Sequence, residues 1–509
     1  MKFESARKSG VFLAAAVVAV GGIIYELLLG AMSSYLLGDS VLQFSLTIGL
    51  FLFGMGIGSF IAPHIGGPPE EKFILIESVL AIAGGNSVLI LYAAYVYTPL
   101  IYLVFVLLVV FIGVLTGAEI PLLLRMFERD QQTVVLVSRI LSLDYMGALL
   151  ASLLFPLLLL PSLGIMPTAY LVGLSNMGVA LMLYWLFRRH VPMRRLIVLP
   201  VLVLGTAIMA AGFAGADRLA RTLESRLYND TVVYSRQSQY QKIVLTQFND
   251  DVRLYLNGHL QFSSLDEHRY HEALVHVPLG LAASPEKVLI LGGGDGLTAR
   301  ELLKYPRIGS ITLVDIDAVM TGAASSVPYL TALNQHSLKN GKVRIINQDA
   351  MQFLRGGSEL FDVIIIDLPD PASEELAKLY SREFYWLVQR RMARDGIMAA
   401  QTTSPRFFHD SFWIIHTTIK SAGLAAIPYH TRVPSFGDWG FVVAAKHPLN
   451  VSRVNLSVPT RYLNAELVPR LFVFDNELEA GNREFPVSTF YNPVVLHAYQ
   501  REKRLLERE

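Results

Sequence analysis

The first 215 residues of this 509-residue chain are dominated by long apolar segments. A helix of about 20 apolar residues can cross a lipid bilayer, and further apolar segments follow the first one, unlike the polar chain that follows a cleaved signal peptide. The sequence therefore predicts an all-α, multi-pass membrane bundle over residues 1–216, with the lipid bilayer as its partner. The seven predicted spans are 11–37, 41–62, 73–96, 99–124, 134–160, 165–187 and 196–215.

Four acidic residues lie within these apolar segments. Charged groups are costly at membrane depth and usually face a bundle interior or a water-filled cavity. One interpretation is therefore an acid-lined site for a cation. The other is that the acids pair with groups such as Arg139 or backbone donors, or reach the membrane surface near helix ends. The sequence does not show which of them share a face; they are Glu26, Glu77, Glu119 and Asp144.

Residues 217–285 are more polar and predict a β-hairpin subdomain that forms a lid on the next domain. The segment 231–262 alternates between apolar and polar residues, and turn-forming residues stand at 249–251 and 257–258. A dense polar cluster then lies within 265–277, which predicts a helix.

Residues 286–446 alternate between strands and helices, the pattern of a parallel α/β sheet. The first strand runs into the glycine-rich turn 292–296 and then a helix, the context in which a glycine loop lets the backbone approach a nucleotide-like ligand. We therefore predict a Rossmann-like domain here, followed by a C-terminal extension, 447–509, of unknown role. The predicted strands are 287–291, 310–314, 342–346, 361–366 and 396–401.

Acidic residues follow four consecutive strands of this predicted sheet. Ligands of open parallel sheets bind beyond the carboxyl ends of the strands, so these side chains are expected at one rim. A single aspartate there is more often a helix cap, and Asp317 fits that description. Gathered carboxylates instead favour a cationic ligand, which offsets their repulsion. The strand ends carry Asp295, Asp315, Asp349, and the pair Asp367 and Asp370.

Composition excludes several other kinds of site. The net charge of +1, without a basic run in the second half, gives no reason to expect nucleic acid as a partner. The chain has no cysteine, which excludes disulfides, thiolate metal ligands and a cysteine nucleophile.

Six short motifs between residues 240 and 371 together carry a family resemblance. They are Tyr240-Gln241, Leu256-Asn-Gly-His-Leu-Gln261, Asp266-Glu-His-Arg-Tyr-His-Glu272, Gly292-Gly-Gly-Asp-Gly296, Asp349-Ala350 and Asp367-x-x-Asp-Pro371. With them, residues 240–446 resemble the spermidine synthase (polyamine aminopropyltransferase) family, and the apolar first half resembles its multi-pass membrane branch. The resemblance implies decarboxylated S-adenosylmethionine as co-substrate and a polyamine, most simply putrescine, as acceptor. It implies no prosthetic group and no metal, and we expect a homo-oligomer, a dimer.

The same resemblance assigns roles to individual residues. Asp367 is expected to be the general base that deprotonates the attacking amine. Substrate-binding roles are expected for Tyr270, His271, Asp295, Asp370 and Gln261, with Asp295 facing the ammonium group of the donor. Donor-binding roles are expected for Gln241, Gly292, Gly294, Asp295, Asp315, Asp349 and Ala350, with Asp315 at the ribose, and Asp349 and Ala350 at the adenine. In the alternative interpretation, Tyr270 and His271 only pack beneath the loop.

The chain departs from the family pattern at several positions, which leaves the length of the acceptor undecided. Here Asn257 replaces the usual Asp, Asp315 the usual Glu, Ala350 the usual Gly, Leu368-Pro369 a small polar pair, and Phe436 with Trp439 a frequent Tyr. Two other functions are considered: a methyltransferase that uses intact S-adenosylmethionine, and a membrane transporter or sensor whose soluble domain binds polyamines.

The basic loops and the cytoplasmic origin of the donor predict opposite orientations of this chain in the membrane. The N-terminus and the loops at Lys72, Arg125 and Arg129, and 188–195 are basic and share one side, so the positive-inside rule places the N-terminus inside the cell. Seven spans then place the catalytic domain outside. The donor is made in the cytoplasm, however. Either the segment 196–215 is re-entrant, or acids such as Glu119 and Asp144 line a route that passes ligands to the far face. We expect a cell-membrane protein with a cytoplasmic catalytic domain.

Overall fold

The computed structural model describes residues 2–38, 40–126, 133–187, 195–228 and 230–506. Within it the chain divides into two compact units, the first with 1–246 and 256–258, the second with 247–255 and 259–509. Arg129 and residues 188–194, whose charges enter the orientation argument, lie outside the described residues.

The first unit is mainly helical. Six of its described helical runs are long and apolar enough to cross a membrane, and the pair α3 and α4, bent by 42°, makes a seventh if it counts as one span. A π-helical stretch, Phe155–Leu159, joins α6 to α7. The helices are α1 Lys2–Leu37, α2 Ser40–Ile61, α3 Pro69–Gly85, α4 Ser87–Tyr97, α5 Ile101–Met126, α6 Thr133–Leu154, α7 Leu160–Leu163, α8 Ile165–Phe187 and α9 Arg195–Tyr228.

Close packing between α2 and α5 depends on glycines. A side chain at Gly54 or Gly58 would collide with the backbone carbonyls of Val110 and Val114, whereas Gly56 faces open space. Two of the three glycines in the segment 54–58 therefore form the small-residue face that lets two helix backbones approach.

Helix α9 extends well beyond the predicted span 196–215, and the predicted domain boundary after residue 216 falls inside it. The reason is visible in the sequence: Leu219, Leu223 and Leu227 recur at a helical spacing between polar residues. Leu223 is buried in the core of the first unit.

Four short strands follow α9, and their order in the sheet is their order in the chain. Asn257 and Gly258 both have positive φ, 49° and 82°, the geometry of the tight hairpin turn that an Asn-Gly pair favours. The strands are β1 Thr231–Gln237, β2 Lys242–Phe248, β3 Asp251–Leu256 and β4 His259–Ser263, in the sheet order β1-β2-β3-β4.

The second unit contains a seven-stranded sheet in the order β10-β11-β9-β8-β5-β6-β7. The prediction of a parallel sheet is right for its five strands β5 to β9 but incomplete, because β10 and β11 form an antiparallel hairpin at the β9 edge. The strands are β5 Lys287–Gly292, β6 Ser310–Asp315, β7 Val343–Asn347, β8 Phe361–Asp367, β9 Met392–Gln401, β10 Ala425–Val433 and β11 Gly437–Ala445.

Helices cover this sheet and extend into the C-terminal segment. The last helix, α18, buries Val495, Leu496 and Ala498 in the same core as β8. Earlier in the same C-terminal extension, the segment 461–463 donates three backbone N–H groups to the carboxylate of Glu272. The helices are α10 Glu267–Leu281, α11 Leu297–Leu303, α12 Ala318–Ser326, α13 Pro328–Leu333, α14 Ala350–Gly356, α15 Glu374–Ala377, α16 Arg382–Arg391, α17 His409–Ser421 and α18 Val494–Leu506.

The order of the strands locates the site. Strand β5 lies between β6 on one side and β8 on the other, both parallel to it. The chain connections therefore diverge between β5 and β8, which opens a crevice beyond their carboxyl ends. The strand-end aspartates follow these strands.

Candidate active site

The glycine turn after β5 is shaped around two aspartates. The N–H of Gly294 donates to Asp315 Oδ2 over 3.1 Å, and a side chain at Gly294 would collide with that carboxylate. Gly292 has φ of +84°, and a side chain there would collide with the backbone carbonyl of Asp367. Both positions require glycine because two neighbouring strand ends approach the loop closely.

Asp367, at the end of β8, lies at the centre of this crevice. Its Oδ1 accepts a hydrogen bond from the Tyr270 hydroxyl at 2.7 Å, and its Oδ2 accepts one from the Thr298 hydroxyl at 2.6 Å. Each oxygen of an ionised carboxylate can accept about two hydrogen bonds. The carboxylate is therefore held in place while it keeps capacity for a substrate N–H.

Asp370 follows three residues later and is held by a different set of side chains. Thr403 and Tyr499 donate to Oδ2 at 3.1 and 3.2 Å, and Gln401 donates to Oδ1 at 3.3 Å. Burial raises the pKa of Asp370 to about 6, although these three hydrogen bonds oppose the shift. At pH 7 the side chain is mainly a buried carboxylate.

A buried ion-pair network lies beneath the glycine turn. His271 Nδ1 lies 2.8 Å from Glu267 Oε2, and Arg300 binds both oxygens of Glu267 at 2.9 Å. Burial alone would lower the pKa of His271, but the bond to Glu267 and its charge raise it to about 9. His271 is therefore a cation at pH 7 and donates to Glu267.

Asp295 lies within the electrostatic reach of this imidazolium. Burial raises the pKa of Asp295 to about 6, the charge of His271 lowers it, and the charge of Asp367 raises it. Its Oδ1 accepts the backbone N–H of Leu297 at 2.8 Å. The structure thus brings Tyr270, His271, Asp295 and Asp367 together.

Asp315 and Asp349 lie at the next two strand ends. Burial raises the pKa of Asp315 to about 6, and its Oδ1 accepts the N–H of Asp317 at 2.8 Å. Asp349 caps α14 through the N–H of Gln352 and forms an ion pair with Lys378 at 3.2 Å. Burial opposes these contacts, but together they hold the pKa of Asp349 below its usual value.

The remaining predicted residues are placed as follows. Ala350 is the buried first residue of α14, next to Asp349. Gln261 lies in β4 and donates to its own strand, at His259 and Leu260. Gln241 belongs to the first unit. Roles in binding stay predictions for all three residues.

Four site residues were not predicted from the sequence. Gln401 ends β9, so the strand-end argument that identified the aspartates could have found it. Thr298 follows the glycine turn by two residues, at the start of α11. Thr403 has φ of +64°, a strained value for a β-branched residue that often marks a functional site. Tyr499 lies in α18, more than 120 residues from Asp370, and no local signal indicates it.

Aromatic side chains pack against the ring of Tyr270. The ring of Tyr270 contacts Phe441 at 5.2 Å and Trp439 at 6.4 Å between centroids, and Trp439 in turn contacts Phe436 at 5.0 Å. An apolar wall beside buried carboxylates suits a ligand that combines methylene groups with positive charges.

Fold and site together define a class: a Rossmann-like domain with an acidic crevice, bordered by aromatic rings, that suits a cationic ligand. The family model described as "Spermine/spermidine synthase domain" matches residues 267–455. The polyamine aminopropyltransferase of Leptospira interrogans is 41% identical over 98% of this chain and 100% of its own length. Polyamine aminopropyltransferase 2 of Ralstonia nicotianae is 44% identical over 91% of this chain and 92% of its own.

The chain therefore belongs to the polyamine aminopropyltransferase family and is an aminopropyltransferase enzyme. The resemblance predicted from its motifs is confirmed. Among solved structures, a spermidine synthase in complex with the transition-state analogue AdoDATO is 29% identical, with a TM-score of 0.46. That comparison covers 48% of this chain and 86% of the other.

Proposed function

We propose that the enzyme transfers an aminopropyl group from decarboxylated S-adenosylmethionine to putrescine, forming spermidine. The amine nitrogen attacks the propyl carbon bound to the sulfonium, the carbon–sulfur bond breaks, and its electron pair stays on sulfur. Methylthioadenosine leaves as a neutral thioether, and the nitrogen gives its proton to Asp367. The test is incubation of the purified chain with this donor and a panel of amines, with products identified by mass.

The observation that supports this proposal best is the pair Asp367 and Asp370 at the end of β8. A base must deprotonate the attacking nitrogen, while a second anion must hold the ammonium at the other end of the acceptor. Asp367 has free acceptor capacity beside Tyr270, and Asp370 is held rigidly by three donors. Catalysis then rests mainly on positioning and electrostatics.

The donor end is proposed to lie over the glycine turn. Decarboxylated S-adenosylmethionine carries an ammonium group but no carboxylate, so a buried aspartate suits its tail. Asp295 is that residue, and Asp315 would accept hydrogen bonds from the ribose. His271, bound to Glu267, places a positive charge near Asp295 and Asp367.

A pH profile tests whether buried carboxylates bind the cationic substrates. The pKa values of Asp295 and Asp370 are raised to about 6, so these groups lose their charge as pH falls through 6. We expect kcat/KM to fall about tenfold per pH unit on the acid side once one group must be ionised. A profile flat from pH 5 to 8 would contradict the assignment.

Tyr499 gives a test of the acceptor end. Tyr499→Phe removes one hydrogen bond to the Asp370 carboxylate, a contact type worth about 1.5–3 kcal/mol. We expect a rise of roughly 10- to 100-fold in KM for the acceptor, with a much smaller change in KM for the donor. Tyr491→Phe is the matched control, because that side chain is 98% exposed in the same C-terminal segment. Equal effects on both substrates would contradict this role.

We propose that the apolar helices of the first unit span the cell membrane, with the catalytic domain in the cytoplasm. Six or seven helices of sufficient length support the first part, and the cytoplasmic origin of the donor supports the second. The pattern of basic loops argues for the opposite side. A homo-oligomer stays a prediction.

Cysteine labelling can decide the orientation because the chain has no cysteine of its own. A cysteine placed at Glu509 should react with a membrane-impermeant reagent only after cells are lysed. A cysteine placed at Asp39 serves as the comparison in the first unit. Strong labelling at Glu509 in intact cells would place the catalytic domain outside.

A further inference from the structure

A cluster of polar side chains lies in the core of the first unit, at the meeting point of α1, α3, α5 and α8. Glu77 and Tyr25 have no exposed surface, and Glu119 is 3% exposed. The Tyr25 ring packs directly against Gly84 of α3, two helical turns after Glu77, and the Tyr25 hydroxyl is within electrostatic range of both carboxyl groups. The carboxyl groups of Glu77 and Glu119 also lie within hydrogen-bonding distance of each other.

The packing of α1 locates two more polar residues at the same level. A side chain added at Gly21 would meet Asn176 Oδ1 of α8 at 2.9 Å, and one added at Gly22 would meet the methyl group of Thr116 of α5 at 2.8 Å. Gly21 precedes Tyr25 by one helical turn on the same face. Asn176 and Thr116 therefore lie about one turn from Tyr25.

These groups lack the partners that buried polar atoms normally have. Apart from the contact between the two carboxyl groups, the following atoms have no hydrogen-bond partner in the described part of the chain: both oxygens of Glu77, Oε1 of Glu119, the Tyr25 hydroxyl, both amide atoms of Asn176 and the Thr116 hydroxyl. Each such atom costs roughly 1–3 kcal/mol, so their concentration at one level requires an explanation.

No cation within the described residues offsets the two carboxylates. Neither Glu77 nor Glu119 forms an ion pair there, and Arg125 instead donates to the backbone carbonyls of Ala62 and Ile65. Two neighbouring buried carboxylates repel each other unless a positive charge, either a proton or another cation, lies between them. Pairing with a basic residue, one part of the second interpretation of the sequence, is therefore not observed for these two acids among the described residues.

We propose that Glu77 and Glu119, with Tyr25, form a binding site for a monovalent cation inside the helix bundle. The groups without partners at this level offer mainly oxygen atoms and no sulfur or imidazole nitrogen, a set that suits an alkali-metal ion or a primary ammonium group. Asp144 of α6 is half-buried and interacts electrostatically with Glu119. It provides an intermediate position through which a cation can reach the site.

The test compares Glu77→Gln/Glu119→Gln with the wild type, as full-length protein solubilised in detergent. Glu70→Gln is the matched control, because Glu70 lies in the first turn of the same helix α3. Thermal unfolding is followed against increasing NaCl, KCl or propylammonium chloride, with choline chloride at equal ionic strength as the reference. Any binding of the amine to the catalytic crevice is common to all three proteins.

We expect a saturable rise in Tm for the wild type and Glu70→Gln with the alkali ions, with propylammonium or with both. The apparent affinity should fall at least tenfold in the double variant. The salts that raise Tm show whether the site binds an alkali-metal ion, a primary ammonium group or both. If all proteins respond alike, or if none responds, the proposal is overturned. It is also overturned if the wild type is stabilised only by lowered pH, which would mean that the carboxyl groups share protons.

A second variant keeps the test decisive if the double variant does not fold. Asp144→Asn leaves the buried pair intact and removes only the intermediate acid. It should slow the uptake of radioactive sodium or propylamine by the detergent-solubilised protein at least severalfold while the final amount bound is nearly kept. Unchanged uptake rates would remove Asp144 from the proposal, and the absence of saturable uptake by both the wild type and Asp144→Asn would overturn it.

Discussion

Replacing Asp367 by asparagine is expected to lower kcat by roughly 10²- to 10⁴-fold, the usual contribution of a positioned general base. Asparagine has nearly the same shape, and the hydroxyls of Tyr270 and Thr298 can rotate to suit its amide, so the fold should be kept. Donor affinity should change little. Single-turnover kinetics with saturating amine, together with equilibrium donor binding, measures both quantities.

Asp315→Ala provides the reciprocal variant for this experiment. Asp315 contacts the glycine turn through Gly294 and is proposed to bind the ribose of the donor. Its loss should therefore lower donor affinity more than kcat. If both variants show equal, mild losses in kcat and in donor affinity, Asp367 is not the base.

Asp295→Asn is expected to change the choice of donor. The wild type should prefer decarboxylated S-adenosylmethionine, because a buried carboxylate attracts the ammonium of its tail and repels the carboxylate of the intact compound. A contact between charges in a partly dry site is worth a few kcal/mol, so the variant should narrow the preference roughly 10- to 1,000-fold. Competition binding of the two compounds measures it directly.

The experiment also separates aminopropyl transfer from methyl transfer. Asp349→Asn is a useful control, because Asp349 is also an acid at a strand end but pairs with Lys378. Asp349→Asn should weaken the binding of decarboxylated and of intact S-adenosylmethionine by the same factor. A wild type that already prefers intact S-adenosylmethionine would contradict the proposed function.

The role of the C-terminal segment could not be predicted from the sequence. Residues 447–509 contain no motif with a recognisable role, yet α18 is buried on the sheet and carries Tyr499 to Asp370. Contacts between residues so far apart depend on how the helices pack. Nothing in the sequence around Tyr499 indicates that its partner is Asp370.

The helical unit shows a similar division. The four acids within apolar segments can be identified from the sequence alone, because charged residues are rare in such segments. Which of them meet depends on the rotation and packing of helices, and the structure brings Glu77 and Glu119 together beside Tyr25.

The sequence alone determined the two-part organisation, the five parallel strands, the glycine turn and the acidic strand ends. Each of these follows from local patterns: apolar runs, alternation and residues that only certain turns accept. Tertiary structure decided the antiparallel hairpin β10–β11, the donors that hold Asp367 and Asp370, and the ion pair of Arg300 with Glu267 beside His271. Those contacts join residues up to about 130 positions apart, and only folding brings such residues within hydrogen-bonding distance.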